Sequence, residues 1–230
     1  MTNSMPGTPE TDVTDGLTVG VLGGTGPQGR GLGRRLAASG LTVLLGSRSA
    51  DRANEAAAPM AAEGLPVRGG SNEDVAAQAD VVIVAVPYEG HRDLLAALAG
   101  PLTGKIVVDC VNPMGKDDKG MHALPVAEGS AAQEAAAVLP GSRVVAAFHH
   151  VSAVLLEDPE THAFDLDVLV LGDDREATDL VQALAARIPG MRGIYAGKLR
   201  NAGQVEALTV NLIAINIRYK AHAGIRVTDV

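Results

Sequence analysis

From Leu17 onward, short runs rich in Val, Ile and Leu alternate with longer stretches in which apolar residues recur every three or four positions. The runs predict strands at Leu17–Leu22, Leu41–Gly46, near Val67, and at Asp80–Val86, Lys105–Val111, Arg143–Phe148 and Asp167–Gly172. The spaced stretches predict helices at Gln28–Ser39, Ala50–Glu63, Glu89–Ala99, Ala131–Leu139 and Arg175–Ile188. Several strands are apolar at successive rather than alternate positions, the pattern of a strand covered on both faces. Strand and helix in regular alternation predict an α/β fold with a doubly wound parallel sheet.

Past Tyr195 the pattern changes. Asn201–Lys220 reads as one long helix whose centre, Ala207–Ile217, is apolar almost all round. Such a helix is buried on every side. One sheet domain offers it too little cover, so it is expected to pack in a subunit interface of a homodimer.

Composition narrows the class. The 230 residues are 47% hydrophobic, enough for one core with a small appendage. A formal net charge of −8 argues against nucleic acid or an anionic membrane as a partner. No apolar run approaches the roughly 20 residues that span a bilayer. The first 15 residues are polar and lack the basic and apolar segments of a signal peptide, and are expected to be a disordered extension. The single cysteine, Cys110, sits within an apolar strand and reads as a buried structural thiol. Together these point to the cytoplasm.

One junction carries most of the chemistry. The first strand runs into Gly24-x-Gly26-x-x-Gly29, which opens a helix, with a second strand following. This is the way a chain builds a pyrophosphate site. Gly24 is expected to permit the tight turn, Gly26 to let the phosphates approach the backbone, and Gly29 to let helix and strand pack closely. Free N–H groups and the helix dipole then face the anion. The expected organisation is an extension over 1–15, a dinucleotide-binding Rossmann domain over 16–196, and a small helical C-terminal region over 197–230.

The second strand selects the nucleotide. An NAD site places Asp or Glu there to bond the ribose hydroxyls. This chain has Ser47 and Arg48, with Arg52 one turn on and no acid before Asp51. A hydroxyl and two guanidinium groups suit a 2′-phosphate, so NADP is expected. Other strands end in Val86-Pro87-Tyr88, in Asn112-Pro113 and in His149-His150-Val151-Ser152-Ala153, all on the edge where ligands of open α/β sheets bind. His149 and His150 point oppositely on a strand and no third ligand is spaced for a metal, so none is expected. Either ring could act as an acid or base, or line a pocket over the nicotinamide. The remaining histidines, His91, His122, His162 and His222, read as surface or incidental. Asp117-Asp118-Lys119-Gly120 and Asp173-Asp174 read as solvated turns. No lysine or tyrosine stands in a convincing catalytic setting, which suits direct hydride transfer between two bound cofactors.

The runs Gly23–Gly29, Gly46-Ser-Arg48, Ala85–Glu89, Lys105–Asp109, Phe148–Ala153 and Gly197–Thr209 together resemble the coenzyme F-420-dependent NADP reductases, over almost the whole chain from Leu17. The resemblance implies an oxidoreductase that moves hydride reversibly between NADP and the 8-hydroxy-5-deazaflavin of coenzyme F-420. It implies that Thr25, Gly26, Pro27 and Gln28 cradle the pyrophosphate and that Ser47, Arg48 and Arg52 hold the 2′-phosphate. Val86, Asn112 and Ala153 would border the nicotinamide, with Pro87 beside Val86. His149 and Val151 would touch the deazaflavin, His149 as a positioning group. Lys198, Arg200 and Arg218 are the cations offered to that coenzyme's acidic tail. Two other readings stay open on the residues alone: an NADP-dependent enzyme acting on a small hydroxyacid or imine, and a non-catalytic NADP-binding regulator. The hydroxyacid reading expects a lysine on the helix after the sheet, and Asn201–Ile217 contains none.

Overall fold

Two strands, β1 (Thr18–Leu22) and β4 (Val81–Val84), lie side by side at the centre of the sheet, and the chain winds away from them in both directions. The structure, a computed structural model, describes residues 12–230. On one side of β1 come β2 (Thr42–Ser47) and β3 (Val67–Ser71). On the far side of β4 come β5 (Ile106–Asp109), β8 (Arg143–Ala146), β9 (Leu166–Gly172) and β10 (Met191–Gly197), giving the order β10-β9-β8-β5-β4-β1-β2-β3. Helices cover both faces. The main ones are α1 (Pro27–Ala38), α2 (Ala50–Ala62), α4 (His91–Ala97), α6 (Ala131–Val138) and α8 (Arg175–Ala186).

The apolar runs explain the two-layer burial. Val19, Val21, Val43, Leu45, Val81 and Ile83 point into one core with Leu32 and Leu36 of α1. Their alternates Leu22, Leu44, Val82 and Val84 join a second core with Leu95 and Leu102. A strand must be apolar at every position when both of its faces are covered.

The fold class stands, and the sheet is mostly parallel. The direction of its last two strands differs from the expectation. β9 runs antiparallel to β8, pairing Val145 with Gly172 and Ala146 with Leu171, and β10 lies parallel to β9. A parallel return needs a crossover long enough to recross the sheet. The segment between β8 and β9 holds only the five-residue α7 (Ala153–Glu157), which packs on α1, so β9 re-enters from the edge where β8 leaves. β10 was not expected as a strand. Its sequence, MRGIYAG, belongs to an edge strand that is only partly covered. The short α3 (Asn72–Gln78), α5 (Ala99–Leu102) and the hairpin of β6 (Met114–Asp117) with β7 (Gly120–Ala123) were also not expected. The Asp117–Gly120 stretch is the turn of that hairpin, and Asp174 caps α8 through Oδ1 and the Ala177 N–H at 2.8 Å.

The expected N-terminal extension is corrected in part. Residues 1–11 lie outside the described residues. Residues 12–15 form a turn pinned by Arg187, whose Nη1 reaches Asp12 at 3.1 Å and Asp15 at 2.8 Å, while Nη2 donates to Ser39 O at 2.8 Å. Thr14 is buried beneath this contact.

At the other end, α9 (Ala202–Tyr219) docks by its first half, burying Val205, Glu206, Thr209 and Leu212. Its second half exposes Ile215, Ile217 and Tyr219. The region is helical only to Tyr219. Residues 221–230 form neither helix nor strand and pass the start of β9, where Asp167 N donates to Ile225 O at 2.7 Å. The buried Asp167 carboxylate takes Arg192 at 2.7 and 2.8 Å, Arg226 at 3.0 Å and Val227 N at 2.7 Å. Arg192, the first of these, drives its pKa down to about 2. Among the described residues, no helix is long and apolar enough to cross a membrane.

Candidate functional site

The strand order reverses between β1 and β4, and open α/β sheets bind ligands beyond the carboxyl ends of strands at such a point. A cleft of about 370 Å³ opens there, lined by Thr25, Gly26, Ser47, Arg48, Arg52, Val86 and Pro87 among others. Seven expected residues from four separate segments thus meet in one cavity.

The glycine roles divide differently from the expectation. The left-handed turn falls on Gly23, at φ +76°. Gly24 is needed for packing instead, because a Cβ there would stand 2.9 Å from Leu45 Cβ and 3.0 Å from Val21 O. Gly29 does allow close packing, since its Cβ would meet Gly23 O at 2.7 Å. A Cβ on Gly26 would touch nothing nearer than Gly23 O at 3.5 Å. The protein alone therefore leaves Gly26 free, which fits a position that needs room for a ligand. Gly26 is also the N-cap of α1 and supplies no side-chain cap, whereas Ser49, Ser71, Ser130, Ser152 and Asp174 cap α2, α3, α6, α7 and α8. The first N–H groups of α1 are left for an anion.

Ser47 ends β2, buried, with its Oγ accepting from Ser49 N at 3.3 Å. Arg48 and Arg52 are exposed, and among the described residues neither forms an ion pair. Two free guanidinium groups at the start of a helix oppose its dipole, and a bound phosphate would relieve this. The cleft also holds residues to which the sequence assigned no role: Gly23, Asn72, Ala85, Glu89, Gly90 and Leu94. Asn72 is buried with no partner for Oδ1. The signal for it was its place just past β3, a strand read only as a short one near Val67.

The residues expected at the hydride end come from more distant pieces. Gln28 Nε2 donates to Phe148 O at 3.2 Å, and Asn112 Nδ2 donates to His149 O at 2.9 Å. Thr209 Oγ1 of α9 donates to the same His149 carbonyl at 3.3 Å. Phe148, fully buried, has φ +64°, a strained conformation for a bulky residue that bends the chain sharply after β8. His149 is 3% exposed and neither ring nitrogen has a partner. Burial lowers its pKa to about 4, and burial does the same to His150. Asn112 Oδ1 is likewise buried without a partner. Val151 is buried and Ala153 half-buried. His149, Asn112, Val151 and Ala153 do not line the nucleotide cleft itself. Pro27 is exposed at the first position of α1.

Cys110 is buried as expected. Its Sγ donates to Val84 O at 3.0 Å, and burial pushes the thiol far up. His91 contradicts its reading as incidental: it is fully buried between Asp109 and Glu134. Lys198 and Arg218 line separate depressions, one with Arg175 and Tyr195, the other with Lys119 and Ile213. The structure does not bring these two cations together.

A doubly wound sheet, an uncapped glycine turn and a basic second-strand end define an NADP-type dinucleotide oxidoreductase. The comparisons narrow this class. Residues 18–113 match the family model described as NADP oxidoreductase coenzyme F420-dependent. The F420-dependent NADP reductase of Methanothermobacter thermautotrophicus is 39% identical over 223 residues, covering 93% of this chain and 95% of the relative. That of Methanocaldococcus jannaschii is 40% identical over 223 residues, covering 93% and 99%. A solved structure of a candidate F420-dependent NADP-reductase from Arthrobacter sp. FB24 superposes with a TM-score of 0.75 at 29% identity, covering 93% of this chain and all of the other. The chain belongs to the coenzyme F-420-dependent NADP oxidoreductase family.

Proposed function

We propose that this protein is an oxidoreductase that transfers hydride directly between NADP and coenzyme F-420, each bound as a co-substrate. The observation that carries the nucleotide half is the pair of unpaired arginines, Arg48 and Arg52, beside Ser47 in the cleft. They hold the 2′-phosphate, while Thr25, Gly26, Pro27 and Gln28 and the open N-terminus of α1 take the pyrophosphate. Val86, Pro87, Asn112 and Ala153 border the nicotinamide, and the bare Oδ1 of Asn112 suits an amide donor. His149 and Val151 belong to the wall that positions the deazaflavin. When bound, the two rings supply the hydride donor and acceptor; the protein's part is to hold them face to face and keep water out. A His149 ring that stays neutral above about pH 4 fits positioning better than acid catalysis.

The exposed apolar half of α9 supports assembly as a homodimer, and sedimentation of the protein with and without Ile217→Glu tests it. A net charge of −8 supports the absence of a nucleic-acid partner, and the lone buried Cys110 supports the cytoplasm. The central test mixes the protein with NADPH and oxidised coenzyme F-420 and follows loss of the deazaflavin's visible band, with NADH as control. NADPH-selective bleaching is the expected result. Intact NADPH binding with no bleaching removes the reading.

A further inference from the structure

His91 follows directly on Glu89 and Gly90, which line the nucleotide cleft, and opens α4 with its ring wholly inside the protein. Its Nε2 lies 2.7 Å from Asp109 Oδ2 and its Nδ1 2.9 Å from Glu134 Oε1. Both nitrogens face carboxylates, so both carry protons and the ring is an imidazolium. Burial would strip that charge. The hydrogen bond and charge of Asp109, followed by those of Glu134, overcome it and raise the pKa to about 9.

The bonds continue toward the hydride end. Asp109 ends β5; its Oδ1 accepts from Val111 N at 3.0 Å, and its carbonyl accepts from Ala147 N at 3.0 Å. The next residue, Asn112, holds the His149 carbonyl. An unbroken chain of contacts therefore runs from the lip of the cleft through His91 and Asp109 to Asn112 and the His149 segment. A buried ion cluster adds little net stability over apolar packing of the same volume, so what distinguishes it is the geometry it imposes.

We propose that His91 is a positioning residue for the hydride end of the proposed site, acting through Asp109 to set Asn112 and the His149 carbonyl. This rests on the hydride-transfer function given above. The other charged and titratable groups facing the imidazole are few. Arg92 of the same helix reaches Glu128 at 2.6 Å and Glu134 at 3.5 Å. Glu206 of α9 accepts from Ala131 N and Ala132 N, and burial pushes its pKa up to about 7. The Tyr88 ring lies 6.2 Å away. Below about pH 9 His91 stays charged and the wall is held; above it the Asp109 contact loses its cation.

The test measures single-turnover hydride transfer from NADPH to coenzyme F-420, both saturating, from pH 6 to 10, and the steady-state NADPH KM, for the wild type, His91→Gln and Glu134→Gln. His91→Gln is expected to slow the step roughly tenfold or more at pH 7, with the NADPH KM within about twofold of wild type, because misplacement costs rate rather than phosphate binding. Wild-type transfer is expected to fall as pH rises through about 9. Glu134→Gln removes one of the two acids that hold the proton, so this fall moves to lower pH. A His91→Gln variant that loses thermal stability but keeps the wild-type rate and pH profile overturns the proposal. So does a rate loss matched by a raised NADPH KM. If His91→Gln does not fold, the Glu134→Gln profile decides, and an unmoved alkaline limb overturns the proposal. A wild-type protein that transfers no hydride overturns the function itself, and the positioning role with it.

Discussion

The two halves of the proposed site are made in opposite ways. The phosphate end comes from short contiguous segments, with exposed cations, an open helix terminus and a glycine that has room to spare. The hydride end comes from segments far apart in sequence, with a strained Phe148, orphaned polar atoms and neutral buried histidines. In the proposed function the first end binds through charge that water would otherwise satisfy, so it should tolerate change in everything except the charges and the backbone path. The second end holds its shape through long-range bonds, so small displacements there are felt as rate.

The largest expected effect sharpens that division. Arg48→Ala removes a charge-assisted contact of the kind worth about 1.5–3 kcal/mol, so kcat/KM for NADPH falls roughly 10- to 150-fold while that for NADH holds. Steady-state kinetics with both nucleotides checks this, and equal losses would break the 2′-phosphate assignment.

The glycines separate binding from packing within one turn. Gly29→Ala forces a Cβ to 2.7 Å from a backbone carbonyl and is expected to cost about 1–3 kcal/mol of stability, read as a lower Tm. Gly26→Ala meets no such clash. It is expected to keep the wild-type Tm and weaken NADP binding by roughly tenfold, as a methyl group intrudes where the pyrophosphate approaches. A Gly26→Ala protein that binds NADP normally would move the pyrophosphate elsewhere.

At the other end, His149→Ala is expected to raise the KM for coenzyme F-420 by several-fold, roughly 1 kcal/mol, and to leave NADP affinity unchanged. Binding titrations and turnover together decide it. Lost turnover with both co-substrates bound normally would make His149 an acid or base and erase the contrast drawn here.

A stability profile tests both halves at once. His149 and His150 are held neutral, their pKa values lowered from 6.5 to about 4 by burial, so the stability they contribute is present above 6.5 and lost as pH falls to about 4. His91 has the reverse sign: its contribution is present below 6.5 and lost as pH rises through about 9. Thermal melts across this range should therefore decline on both sides, by roughly 2–4 °C for each kcal/mol. Removing the His149 ring should flatten only the acid side.

That Thr25, Gly26, Ser47, Arg48 and Arg52 meet in one cleft was largely legible because the determinants are local. A strand, a glycine run and a helix start are consecutive, and Ser47-Arg48 follows the next strand at once. The hydride end was legible only as a set of polar residues after strands. That Asn112 and Thr209 share one carbonyl of His149 joins residues 97 apart, which no local pattern encodes. His91 shows the limit plainly. A histidine after Glu89-Gly90 looks like a surface residue until β5 and α6 bring Asp109 and Glu134 to either side of it.

By itself the sequence determined the α/β class, the central strands, the glycine turn and the preference for a 2′-phosphate, because strand burial, backbone freedom and charge type are written in neighbouring residues. Only the tertiary structure decided the antiparallel return of β9, the pairing of residues 12–15 with Arg187, the conversion of His91 into a buried cation and the neutral state of His149. Each of these depends on which distant groups meet and how much water they exclude, and long-range packing alone sets both.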